Sequence, residues 1–273
     1  MPVVELNGAR LWYELAGDGP AVAFVHEAIG DSRQWDDQWS TFSARFRSLR
    51  FDLRGFGRSE LPGGPFSNVE DLRALLDHTD FVRTALVAGS MGANAAMELA
   101  VLAPERVSAL VVAPPGGIGG EWSEQVQAVW KAEDAAFDSG DLDEAVRLNL
   151  ELWVAGPRRS LDAVDPAVVE RVAGMLREAF EVQFEAFKAE PEPKQEKGVE
   201  PLSDHLHEIR APTLVVVGDE EVPEILEAAD AIADGVPGAR KVVVHGAAHA
   251  LSVERPEELN QAVFGFLDGV LLG

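Results

Sequence analysis

A serine flanked by small residues, Ala88-Gly89-Ser90-Met91-Gly92, follows the run Thr84-Ala85-Leu86-Val87 and precedes the helix-forming stretch Ala93-Asn94-Ala95-Ala96-Met97-Glu98-Leu99. A nucleophile held on a sharp strand-to-helix turn needs this setting, because the strained backbone leaves no room for large side chains two residues to either side. Ala88 and Gly92 supply that space. The turn also sets the hydroxyl at a helix N-terminus, where free N–H groups and the helix dipole favour developing negative charge. The chemistry this predicts is attack of Ser90 on a carbonyl carbon. A serine here is also a common helix cap, so the local motif alone leaves both roles open.

An attacking serine needs a base, and imidazole titrates near neutral pH, so it can take the serine proton and return it to a leaving group. Of the six histidines, His78, His205 and His207 sit in polar surroundings and read as surface residues. His245 ends a strand-like run and reads as structural or solvent-facing, whereas His249 follows that run and stands seven residues before Pro256. Three adjacent carboxylates, Asp219, Glu220 and Glu221, follow the apolar run Val215-Val216-Val217-Gly218 and compete to orient an imidazole.

Other chemistries are weaker. The chain has no cysteine, which excludes disulfides, thiolate metal sites and a cysteine nucleophile. No His-Glu-x-x-His and no compact histidine cluster points to a metal, so none is expected, nor any cofactor. The glycine-rich stretch Pro114-Pro115-Gly116-Gly117-Ile118-Gly119-Gly120 lacks both Gly-Lys-Ser/Thr and dinucleotide spacing, and reads as a flexible lead-in to the following segment. With 23 Lys and Arg against 47 Asp and Glu, the net charge of the 273-residue chain is −24. Such a surface repels nucleic acid and anionic lipid, which leaves a small molecule as the expected partner and a homodimer open. Met1-Pro2-Val3-Val4-Glu5 has no signal-peptide pattern and no apolar run is long enough for a membrane span, so a cytoplasmic location is expected.

The elements that must position these residues alternate between short β-branched runs and longer amphipathic ones, the pattern of an α/β fold with a mostly parallel sheet. Strands are predicted over 3–7, 10–15, 21–26, 46–53, 84–89, 107–113, 213–217 and 240–245. Asn7-Gly8 joins the first two as an antiparallel hairpin. Helices are predicted over 34–42, 69–76, 91–102, 224–233 and 256–267. Residues 118–203 break the alternation with helix after helix, which predicts a core of 1–117 and 204–273 with a helical insertion between. Trp122, Val126, Val129 and Trp130 share a face there, as do Leu148, Leu152 and Trp153, and then Val172, Leu176, Phe180, Phe184 and Phe187. This stripe is expected to pack on the core, with part of it lining a pocket. The charged, Pro-broken stretch 190–197 is predicted to be an exposed loop.

Three motifs in order now carry a resemblance. His26-Glu27-Ala28-Ile29-Gly30 follows the third strand, Asp52-Leu53-Arg54-Gly55-Phe56-Gly57-Arg58-Ser59 the fourth, and the Ser90 elbow the fifth. Together they resemble the α/β-hydrolase fold superfamily, of the type with a helical cap, over essentially the whole chain. The resemblance implies an eight-stranded, mostly parallel sheet and the chain order nucleophile, acid, histidine. It implies Ser90 as nucleophile and His249 as base. It places the acid three positions after Gly218, at Glu221, with Asp219 as the alternative. It implies an oxyanion hole from the backbone N–H groups of Ala28 and Met91. Glu27 stands where the family usually has Gly, and its carboxylate is expected to point away from the oxyanion. Asp31, Asp36 and Asp37 read as helix-start or solvated carboxylates. Members that open epoxides or remove halides use an Asp nucleophile at the elbow, where this chain has Ser90. The implied activity is hydrolysis of an ester or lactone of a small to medium, largely apolar molecule through an acyl-enzyme. The same resemblance also covers enol-lactone and carbon–carbon bond hydrolases, and small-molecule receptors without turnover.

Overall fold

Successive residues of the central strands face opposite sides of the sheet, and both sides are covered. Val22, Phe24, Ala85 and Val87 pack with Trp35, Phe42 and Leu259 on one face, while Ala23, Val25, Leu86 and Ala88 pack with Leu72, Met97 and Ile225 on the other. A strand buried on both faces needs apolar residues at every position, which is why these runs do not alternate. The computed structural model describes residues 2–271.

The strands are β1 (Val3–Leu6), β2 (Ala9–Ala16), β3 (Ala21–Val25), β4 (Arg47–Phe51), β5 (Gly64–Phe66), β6 (Thr84–Gly89), β7 (Val107–Pro115), β8 (Pro193–Gln195), β9 (Thr213–Gly218) and β10 (Arg240–Val244). Eight of them form one sheet in the order β1-β2-β4-β3-β6-β7-β9-β10. The β1–β2 and β2–β4 pairs are antiparallel and the rest parallel. Asn7 (φ 48°) and Gly8 (φ 78°) make the expected hairpin turn between the first two. The helices are α1 (Asp36–Ser43), α2 (Asn68–His78), α3 (Ser90–Leu102), α4 (Glu124–Ser139), α5 (Leu142–Asn149), α6 (Pro166–Ala186), α7 (Pro223–Gly235), α8 (Leu251–Glu254) and α9 (Pro256–Leu271). None is long and apolar enough to cross a membrane.

Between β7 and β9 the chain is mainly helical, with α4, α5 and α6 around a cluster of Ala145, Val146, Val172, Leu176 and Phe180 that also takes in Ile29 and Ala250 of the flanking loops and Val253 of α8. One sequence expectation fails here. Residues 190–197 are not simply a loop, because Pro193–Gln195 pairs in parallel with Gly64–Phe66 as a separate two-stranded sheet. Three residues with a proline have no periodicity to read, and only the tertiary pairing makes them a strand.

The aromatic stripe divides in two. Phe137 packs edge-on to Phe180, Phe184 and Phe187 within the helices. Trp122 meets Trp130 and Trp153, and Trp153 lies 4.8 Å from the ring of His249.

Candidate active site

Ser90 is the first residue of α3 and has φ +48°, a left-handed conformation that costs energy for any residue with a Cβ. Gly89 occupies the N-cap position and no side chain caps the helix, so Ser90 is a strained elbow and not a cap. The sharp turn runs α3 hard against β3. A Cβ on Gly92 would stand 2.5 Å from the carbonyl oxygen of His26 and 2.7 Å from that of Val25, which explains why position 92 carries no side chain. Met91 follows Ser90 in the helix, and Ala28 is exposed in the turn after β3, which the Gly30 N–H closes on Glu27 O at 3.4 Å.

The three competing carboxylates find three different partners. Glu221 Oε1 lies 2.7 Å from His249 Nδ1, with both side chains almost wholly buried. Asp219 pairs instead with exposed His245 at 2.7 Å and accepts the Gly246 N–H. Glu220 reaches Arg158. Burial pulls the His249 pKa down, but the charge and hydrogen bond of Glu221, with the charge of Glu27, raise it above the ordinary imidazole value. A carboxylate on Nδ1 fixes the proton there and stabilises imidazolium when it forms.

The loop that carries His249 is tied to the helical segment. The stretch Leu150–Ala155 is a π-helix closed by Gly156 at φ +74°, and its wide turns present carbonyls outward. Trp153 O takes the His249 N–H at 3.0 Å. Arg159 donates to the carbonyls of Val154, Ala155 and Gly246 and to Glu254 at 2.5 Å, and Glu254 in turn accepts the Ala248 N–H. This network holds both sides of the histidine.

The other motif residues build the scaffold. His26 Nε2 accepts the Leu53 N–H at 2.8 Å, so its proton sits on Nδ1 and goes to Glu27 O. Burial lowers its pKa, and it stays a neutral structural bridge between two loops. Asp52 accepts the N–H groups of Ser32 and Arg58, and Arg54 forms a buried pair with Asp71 at 2.5 Å. Asp31 caps the short helix before α1, while Asp36 and Asp37 are exposed in the first turn of α1.

Glu27 is buried, 2% exposed. Its carboxyl takes the Gln34 Nε2 donor at 3.1 Å and fills the space that a side chain on Gly89 would need. Burial pushes its pKa up to about 8, against the opposing pull of His249. The proton count beside the histidine therefore includes a second carboxyl group.

Ser90 opens on a cavity of about 380 Å³ bordered by Met91, Asn94, Gly116, Gly117 and Trp122. Sequence reasoning missed this wall. The glycine run reads as a linker by composition, yet a Cβ on Gly116 would lie 2.8 Å from Ser90 O. Asn94 was legible in principle, since four residues after Ser90 is one helical turn along the same face. Among the described residues no group of metal-ligating side chains gathers.

The chain matches the alpha/beta hydrolase family over residues 20–262 and belongs to it. It is 30% identical over 275 residues to the putative carbamate hydrolase RutD of Azorhizobium caulinodans, covering 97% of this chain and 98% of that one. Est816, an N-acyl homoserine lactone degrading enzyme, is 26% identical with a TM-score of 0.77 over 97% of this chain and all of that one. The enol-lactonase of Burkholderia xenovorans LB400 shares the fold, with a TM-score of 0.80 at 23% identity over 97% and 99% of the two chains. The protein is a hydrolase of this fold.

Proposed function

We propose that the protein hydrolyses a carboxylic ester or lactone of a small to medium molecule through an acyl-enzyme on Ser90. The observation that carries this reading is the buried 2.7 Å contact of His249 Nδ1 with Glu221, in a chain whose elbow serine is held at φ +48°. Ser90 Oγ attacks the carbonyl carbon and gives its proton to His249 Nε2. The oxyanion gathers donors from the backbone N–H groups of Ala28 and Met91. His249 then protonates the leaving alcohol, and a water activated by the same imidazole releases the acid. Glu221 holds the imidazole and balances its charge. The helices of residues 118–203 act as the cap over the elbow, with Trp122 and Trp153 on its inner side.

The relatives support acyl chemistry of this kind, since carbamates and lactones both present a carbonyl carbon with a heteroatom leaving group. Treating the protein with a fluorophosphonate and weighing it intact tests the proposal. One adduct on the parent protein, lost in both Ser90→Ala and His249→Ala, is the expected result. A folded parent that gains no adduct while binding esters tightly would move the protein to the non-catalytic receptors of this fold.

A further inference from the structure

The peptide that carries the Ala28 N–H is held through Glu27, since Ala28 itself is exposed. That peptide is trans, so its C=O and N–H point to opposite edges. The Glu27 C=O accepts the His26 Nδ1–H at 2.7 Å and the Gly30 N–H at 3.4 Å, which turns the Ala28 N–H the other way. Glu27 is held in turn by the side chain of Gln34. Gln34 Oε1 accepts the Glu27 N–H at 2.9 Å, while Nε2 donates to Glu27 Oε1 at 3.1 Å and to Ser252 Oγ at 3.3 Å. A backbone N–H only donates, so the first contact assigns the amide orientation and leaves both amide protons committed to the other two. Gln34 is buried in the short helix before α1, next to the fully buried Trp35 that anchors its backbone in the core.

One amide thus restrains both the main chain and the side chain of Glu27. The residue cannot turn about its backbone bonds without leaving a buried polar atom unmet, which is costly, and its Cγ lies against Gly89, where a Cβ would stand 2.6 Å away. The same amide reaches α8, where Ser252 follows shortly after His249. Resting on the hydrolase reading above, we propose that Gln34 is a positioning residue: acting through Glu27, its amide fixes the direction in which Ala28 presents its N–H to the oxyanion. Gln34 acts on the transition state only through that peptide. A donor already fixed in place needs no reorganisation when the charge develops. A glycine at position 27 would give the amide no carboxyl to hold and would free the backbone, so Glu27 and Gln34 work as a matched pair.

A fluorophosphonate tests this, because Ser90 Oγ forms the bond to phosphorus as fluoride leaves, the serine proton goes to His249, and the phosphoryl oxygen takes the place of the oxyanion. The rate constant at saturating probe and the half-saturating concentration are measured for the parent, for Gln34→Met, which fills the space without an amide, and for Gln34→Asn, whose amide falls short of its partners. Both variants are expected to lose roughly 10- to 100-fold in the rate constant with half-saturation within about threefold, the pattern of a donor used only in the transition state. Amide NMR supplies a signature that a merely structural role would not move. The Ala28 amide proton is expected to shift downfield on phosphonylation of the parent and markedly less in the variant adducts. A variant that keeps its rate constant within about threefold, or loses it with the Ala28 shift unchanged, would overturn the positioning role. So would an Ala28 amide that does not move in the parent adduct, or rapid hydrogen exchange at the Glu27 N–H of the parent, neither of which needs a folded variant. A parent that takes no adduct ends the hydrolase reading itself and this role with it, so the two failures are told apart.

Discussion

Glu221→Gln is expected to lower kcat/KM on the best ester substrate by roughly 10³- to 10⁴-fold with the fold intact. A glutamine can present its amide N–H₂ to His249 Nδ1. That makes Nδ1 the acceptor, moves the ring proton to Nε2, and leaves no lone pair there for the Ser90 proton. Nor does a neutral amide balance the imidazolium that forms later. The neighbours provide the control. Asp219 and Glu220 are committed to His245 and Arg158 at the surface, so Asp219→Asn and Glu220→Gln are expected to stay within a few-fold of the parent, because exposed pairs contribute about 1 kcal/mol or less. Steady-state kinetics on the three variants checks this. A Glu221→Gln protein within tenfold of the parent, or an Asp219→Asn protein that collapses, would reassign the acid.

The second large effect concerns stability. Burial pushes the Glu27 carboxyl up to about 8 in the folded state, from an ordinary value of 4.5. Because the folded pKa is the higher one, the folded state holds the proton more tightly. The contribution is fully present below pH 4.5, falls through the window from 4.5 to 8, and is lost above it. The total is about 5 kcal/mol, at 1.36 kcal/mol for each tenfold change in proton affinity. Glu27→Gln keeps an uncharged group of the same shape and has nothing to ionise. It is expected to match the parent in urea unfolding at pH 4.5 and to exceed it by several kcal/mol at pH 9. A stability difference that is the same at both pH values would show that Glu27 is solvated. The same titration reaches the histidine, since an imidazolium at His249 favours the Glu27 carboxylate and the carboxylate favours the imidazolium.

The parts of this arrangement that were legible beforehand are those with a local signature. The central strands could be read because two covered faces leave no polar position, as at Val22 to Val25. The elbow could be read because small residues on both sides of Ser90 have few other reasons to sit between a strand and a helix. The family resemblance pointed to Glu221, three positions after Gly218, with Asp219 as the alternative, and the carboxylate found against His249 Nδ1 is that of Glu221. What escaped depends on residues far apart in the chain. Glu27 looks like a stray charge until Gln34 and Gly89 enclose it. Gly116 and Gly117 look like a linker until α3 is packed against them. The Pro193–Gln195 strand exists only because Gly64–Phe66 lies alongside. Trp153 was visible in the aromatic stripe, but a stripe does not say which ring it touches.

That last contact ties the helical segment to the loop that carries His249. The backbone N–H of His249 is held by Trp153 O, and the two rings lie 4.8 Å apart. If the proposed cap moved aside for a guest, it would therefore pull on the loop that keeps the imidazole on Glu221. Under the proposed function, door and trigger would be one piece, and the size of an entering molecule would bear on the chemistry as well as on the room.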